Sequence, residues 1–151
     1  MANGSVMLTL KSLSAFAIVP TVDYEQLAPE NRQVVAEALD RVINSAFRET
    51  PVSVVDHCRA ALTVLLSRWL IQSGHATGEA IALDLGPLAI RLEEQHMTCV
   101  ANSAKVVARL HGRGKPNEQQ SRRLRPPVAG DDEFAVESVG LVLREFGWVS
   151  R

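Results

Sequence analysis

The sequence predicts an all-α protein, a bundle of about five helices, and three observations predict it. Apolar residues recur at three- and four-residue spacing in several separate stretches. Prolines, acids and a threonine stand where those stretches begin, and glycines where they end. The length, 151 residues, fits one domain with a buried core, and with aromatics at 5% that core must come from Leu, Val, Ile and Ala. The expected organisation is an N-terminal segment, residues 1–25, followed by a helical domain, residues 26–151, with a basic loop at 112–130.

The N-terminal segment contains "VMLTLKSLSAFAIVP", Val6 to Pro20. It lacks the basic start of a signal peptide, and Lys11 and several serines interrupt its apolar run. The reading is a structured segment, with strand and helix both open. The first clear helix is "PENRQVVAEALDRVINSAFRE", opened by Pro29 and Glu30. Val34, Val35, Ala38, Val42, Ile43 and Ala46 share its helical spacing. The second starts at Pro51, with Thr50 placed to cap it. Val55, Cys58, Leu62, Leu65, Leu66, Trp69 and Leu70 form a wide stripe, with Asp56, Arg59, Thr63 and Ser67 off it. Gly74 ends it.

Beyond Gly74, Thr77 is a possible cap for a short helical turn, and Gly86-Pro87 marks a break with a new helix start near Pro87. "TCVANSAKVVARLHG" reads as a further helix closed by Gly112 in the left-handed C-cap conformation. "GRGKPNEQQSRRLRPPVAG" reads as loop. "DDEFAVESVGLVLREFGW" begins with acids in its first turn, and its stripe is Phe134, Val136, Val139, Leu141, Val142, Leu143 and Phe146.

Composition excludes several functions. The net charge of −1 excludes a chain that is basic overall, so nucleic-acid contact needs a local patch. Cys58 and Cys99 lie far apart in apolar helical contexts and read as two buried thiols. That usage suits a reducing compartment, the cytoplasm. The four histidines and two cysteines show no metal-ligand spacing, so no metal and no cofactor is expected. No apolar run reaches the roughly 20 residues of a membrane span. Phosphate-binding glycine loops and nucleophile elbows are absent, and "GRG" follows a helix instead of preceding one.

Histidine beside arginine remains. Arg91 and His96 are five positions apart, which on a helix turns through about 500° and leaves them about 140° apart. Lys105, Arg109 and His111 precede Arg113 and Lys115. Surrounding cations depress the pKa of His111, while a helix C-terminus raises it. A neutral histidine with an adjacent cation can deprotonate a ribose 2′-hydroxyl while the cation holds the scissile phosphate. The plainer alternative is a histidine at a helix end followed by solvated arginines.

Helix 51–73, then "LGPL", then a helix ending "RLHGRGKP", then a last apolar helix, resembles the C-terminal domain of abortive-infection proteins. That family belongs to the HEPN superfamily of helical bundles. The likeness covers residues 50–150 and is carried most by His111 to Pro116. It implies metal-independent RNA cleavage through an Arg-x(4–6)-His motif whose sites meet across a dimer. His111 matches the family histidine. Ala104 and Lys105 occupy the slots of the motif's Arg and Asn, leaving Lys105 as the cation with Asn102 and Arg109 nearby. A lysine cannot make the bidentate phosphate contact of a guanidinium. Arg91 and His96 keep the motif's spacing and are the alternative pair.

Two functions follow as expectations. One is a HEPN-like defence or toxin ribonuclease that leaves 2′,3′-cyclic phosphate ends. The other is an inactive module that dimerises, or binds a partner or nucleic acid. The expected partners are a second copy of the chain, RNA, and a cognate antitoxin or defence-system protein. The expected nucleic-acid contacts are Arg113, Lys115, Arg122, Arg123 and Arg125.

Overall fold

Prolines place the first helix starts. Pro29 opens α1 (Pro29–Ser45) and Pro51 opens α2 (Pro51–Gln72). In a first turn, proline gives up only an N–H that has no intrahelical partner. The computed structural model describes residues 19–46, 48–116 and 125–151. Its chain continues with α3 (Leu85–Glu94), α4 (Thr98–Arg113) and α5 (Asp131–Glu145). Among the described residues the architecture is all-α, a bundle of these five helices. Short 3-10 turns, Tyr24–Gln26 and Gly78–Ala82, precede α1 and α3. Most of the N-terminal segment, with Arg122 and Arg123, lies outside the described residues.

The central element is α2, which packs against all four other helices. Its start is capped as expected, Thr50 Oγ1 accepting from the Ser53 amide at 3.3 Å. Because neighbours surround it, burial extends past the expected stripe to Val54, Ala61 and Ser67. The Ser67 hydroxyl donates to the Val64 carbonyl, so its burial leaves no orphan polar group. Trp69 is only half-buried. It stacks on Phe146 just beyond α5, with ring centroids 5.0 Å apart.

Three helices end alike. The last turns of α2, α3 and α5 close on a residue with positive φ: Gly74 at 78°, His96 at 61° and Gly147 at 70°. The next residue's amide then reaches back to the carbonyl five positions earlier: His75 to Leu70, Met97 to Leu92, Trp148 to Leu143. This is the Schellman arrangement, and glycine suits it because it has no Cβ to clash. His96 holds the position without that freedom.

Several boundaries differ from the sequence reading, each for a local reason. Helix α1 stops at Ser45 instead of running to Glu49, because Ala46 turns extended (ψ 129°) and Thr50 must be extended to cap α2. Helix α3 starts at Leu85, two residues before Pro87, so the expected Gly86-Pro87 break falls inside the helix. Asp84 Oδ1 accepts the Leu85 amide at 2.8 Å, and Pro87 fits as the third helical residue. Thr77 precedes the 3-10 turn as expected, but its side chain makes no capping bond.

The end of α4 also differs. Gly112 is helical and does not adopt positive φ; the helix runs to Arg113, with Gly114 at its C-cap (φ −71°). The basic stretch therefore begins inside a helix, and residues 117–124 of the expected loop lie outside the described residues. The more crowded of the two glycines is Gly114. A Cβ there would stand 3.1 Å from Val52 Cγ1 and 3.2 Å from the His111 carbonyl oxygen. On α5, Phe134 is exposed, and Ala135, Ser138 and Gly140 join the buried face. Cys58 is buried, but Cys99 in the first turn of α4 is exposed, so the expectation of two buried thiols holds for one.

The chain's first and last described segments lie side by side. Val22 and Val149 form an isolated antiparallel bridge. The Asp23 amide donates to the Trp148 carbonyl, and the Ser150 amide to the Thr21 carbonyl, both at 2.9 Å. Gln72 ties the entry to α1 to the end of α2. Its Oε1 accepts from the Ala28 amide, and its Nε2 donates to the Gln26 carbonyl.

Candidate histidine–arginine site

Helix α4 carries His111 in its last turn, next to the first turns of α2. Gly114 carries no Cβ, which would stand 3.1 Å from Val52 Cγ1, so the two ends can lie close. His111 Nδ1 stands 3.3 Å from Asp56 Oδ1. The same oxygen is 3.6 Å from Arg59 Nε, one turn further along α2. Arg59 Nη1 in turn donates to Asp84 Oδ1 at 3.1 Å. One polar chain, His111–Asp56–Arg59–Asp84, thus joins α4, α2 and the start of α3.

The electrostatics follow from that order. Burial pushes the His111 pKa below the ordinary histidine value, and the positive charges of Arg59 and Lys115 push it the same way. Asp56 and Asp84 oppose them. The net effect keeps the imidazole neutral near pH 7. With Asp56 beside Nδ1, the neutral tautomer that uses this carboxylate carries its proton on Nδ1 and leaves Nε2 as a base. Arg59 is three-quarters buried, and its Nε is a buried donor with no hydrogen-bond partner.

The remaining sequence candidates scatter. Lys105 does not face His111; it pairs with Glu93 of α3. Asn102 and Arg109 are exposed on the outer side of α4. Arg91 and His96 do not form a pair either. Arg91 Nη1 bonds Glu79 at 3.1 Å and holds that carboxyl below its usual range, while His96 is the exposed left-handed residue that ends α3. Arg113 is half-buried at the end of α4, and Lys115 is exposed just after it. Arg125 makes a two-pronged contact with Asp131, at 2.6 and 3.1 Å, and lowers the pKa of that carboxyl.

Asp56, Arg59 and Asp84 are the members that sequence reasoning missed. Asp56 and Arg59 were legible as an i,i+3 charge pair off the apolar stripe of α2. Asp84 was legible as a cap once the helix start was moved upstream of Pro87.

Other polar groups complete the picture. His57 Nε2 lies 3.4 Å from Glu49, whose carboxylate also accepts from Ser53 Oγ at 2.5 Å. The Ser53 bond is the chief reason Glu49 is held below its usual range. The Cys58 thiol, buried and near Asp132, is pushed up to about 12 and is inert as a nucleophile. A groove of about 250 Å³ lined by Val19, Tyr24, Leu39, Asp40 and Ile43 contains none of the His111 group. Among the described residues, no cluster of three or more His, Cys, Asp or Glu is arranged to hold a metal ion. None of their helices is long and apolar enough to cross a membrane. No family model matches the chain, and no curated protein or solved structure does.

Proposed function

We propose that this chain is a HEPN-like helical bundle that cleaves RNA without a metal, with His111 as the base. The observation that carries the reading is the His111–Asp56 pair at 3.3 Å with Arg59 on the same carboxylate. His111 Nε2 takes the proton of a ribose 2′-hydroxyl. The freed oxygen attacks the adjacent phosphorus, and the bond to the 5′-oxygen breaks, that oxygen taking a proton from water. The products are a 2′,3′-cyclic phosphate and a 5′-hydroxyl. Asp56 stabilises the imidazolium that forms, as a carboxylate beside Nδ1 does elsewhere. Arg59 supplies the guanidinium that the motif's arginine slot, held by Ala104, lacks, and its fork of donors suits a phosphate gathering charge. Lys115 and the basic residues after it draw in the polyanion.

The setting proposed is a cytoplasmic defence or toxin system, the chain acting as a homodimer with His111 near the interface and an antitoxin or defence-system protein as its partner. Sedimentation equilibrium giving a 16.5 kDa monomer at high concentration removes the dimer. A second reading, an inactive module that binds RNA or a partner, draws support from a different fact. Three of the cations considered already have acids: Arg59 has Asp56 and Asp84, Lys105 has Glu93, and Arg125 has Asp131.

The experiment is incubation of end-labelled RNA in EDTA with wild type, His111→Ala and Arg59→Ala, with product ends checked for cyclic phosphate. The enzyme reading expects cleavage by wild type alone. Retention of RNA on a filter without cleavage by any of the three selects the binding module. Activity that survives His111→Ala but is lost in His96→Ala moves the site to Arg91 and His96.

A further inference from the structure

Arg59 is held from both sides, by Asp56 within its own helix and by Asp84 at the start of α3. The two carboxylates are not equivalent. Asp56 lies between Arg59 and His111, with one oxygen 3.6 Å from Arg59 Nε and 3.3 Å from His111 Nδ1. Asp84 is the more exposed, its side chain 73% accessible against 55% for Asp56. Its Oδ1 also does a second job, accepting the Leu85 amide at 2.8 Å to cap α3. Losing Arg59 would leave that cap in place. Arg59 meanwhile keeps a buried Nε without a hydrogen-bond partner. With both carboxylates present, the charges of Asp56 and Asp84 balance those of Arg59 and Lys115. An anion arriving at the guanidinium meets no net attraction from this group.

We propose that Asp84 is a gate on Arg59: a phosphate group binds by displacing the Asp84 carboxylate from the guanidinium, while Asp84 stays behind as the cap of α3. The inference rests on the reading of this cluster as a phosphate site, but it concerns binding and needs no cleavage. Its consequence is selectivity. A weakly held anion cannot compete with the resident carboxylate. A phosphate also contacted by Lys115 can.

The substitution that isolates the gate is Asp84→Asn. Asparagine caps a helix as well as aspartate does, so the start of α3 survives, while the charge on Arg59 is released. The probes are inorganic phosphate and a 2′-deoxy dinucleotide, which cannot be cleaved through a 2′-hydroxyl. The expected result is an affinity about fivefold higher than wild type for at least one probe, the scale of one like charge removed at short range in water. Arg59→Ala combined with Asp84→Asn should abolish the gain. A gain with inorganic phosphate assigns the gate to a terminal phosphate, and a gain with the dinucleotide to a phosphodiester. No gain with either overturns the proposal, whatever RNA cleavage shows. A gain without cleavage keeps the gate and overturns the nuclease. A second measurement uses the wild type alone. Saturating phosphate should move the carboxyl ¹³C resonance of Asp84 and leave the Leu85 amide protected from exchange; an unmoved resonance also overturns the gate.

Discussion

His96 occupies at the end of α3 the position that Gly74 occupies at the end of α2. Both have positive φ, 61° and 78°, and both are followed by an amide that reaches back five residues. A side chain in that conformation crowds its own carbonyl, at a cost of about 1–2 kcal/mol. His96→Gly should therefore stabilise the fold by about 1 kcal/mol, seen as a raised urea midpoint with unchanged slope. A loss of stability would mean that the imidazole makes a contact worth more than the strain.

The two glycines that end α4 should respond with opposite signs. Gly112 is helical with open space where a Cβ would go, so Gly112→Ala should stabilise by about 0.5–1 kcal/mol. Gly114→Ala puts a methyl 3.1 Å from Val52 Cγ1 and should destabilise, loosening the seam that sets His111 against Asp56. Thermal melts of the two variants decide it. Equal signs would contradict the observed helix end.

The pH dependence of stability should carry the mark of His111. Its folded pKa is lowered by burial and by Arg59, with Lys115 adding and Asp56 and Asp84 subtracting. Below the ordinary value of 6.5 the unfolded chain then binds the proton more readily than the folded one. Stability is full above about pH 6.5 and falls as the pH drops through the folded pKa. His111→Gln should flatten that limb of the stability–pH curve. Glu49, Glu79 and Asp131, all lowered, act in the same direction but at more acid pH. If the limb is as steep in the variant, His111 is not its source.

Leu62 on α2 is fully buried where the central helix meets its neighbours. Leu62→Ala should cost about 3 kcal/mol through lost transfer energy and the cavity left behind. A surface change such as Ile90→Ala, on a side chain 53% exposed, should stay within about 0.5 kcal/mol. Chemical denaturation of both measures how far the core lies around α2.

The fold was legible where local chemistry decides it. Thr50-Pro51 marks the start of α2 and Gly74 its end without any help from packing. The site was legible only in part. His111 stands out by its place at a helix end among cations, but its partners come from residues 56, 59 and 84, and spacing along one helix cannot reveal them. Lys105 and Arg109 share a helix with His111 yet turn away from it, because six and two positions do not bring side chains to one face. The errors at Gly112 and Pro87 have a common source. A glycine near a helix end is read as the cap, and a proline as the start, when α4 runs on through Gly112 to Arg113 and the capping bond of Asp84 starts α3 two residues before Pro87.

The pairing of Val22 with Val149 has a mechanical side. Residues 19 and 151 leave the antiparallel bridge at the same end, with Thr21 opposite Ser150 and Asp23 opposite Trp148. A pull applied between those two points does not shear the bridge but peels it, loading the Ser150–Thr21 bond first and the Asp23–Trp148 bond only after it has parted. Under tension the clasp is thus a zipper, and the helices behind it feel little force until it has opened. A force–extension trace should begin with this small, low-force step, well before the bundle around α2 gives way.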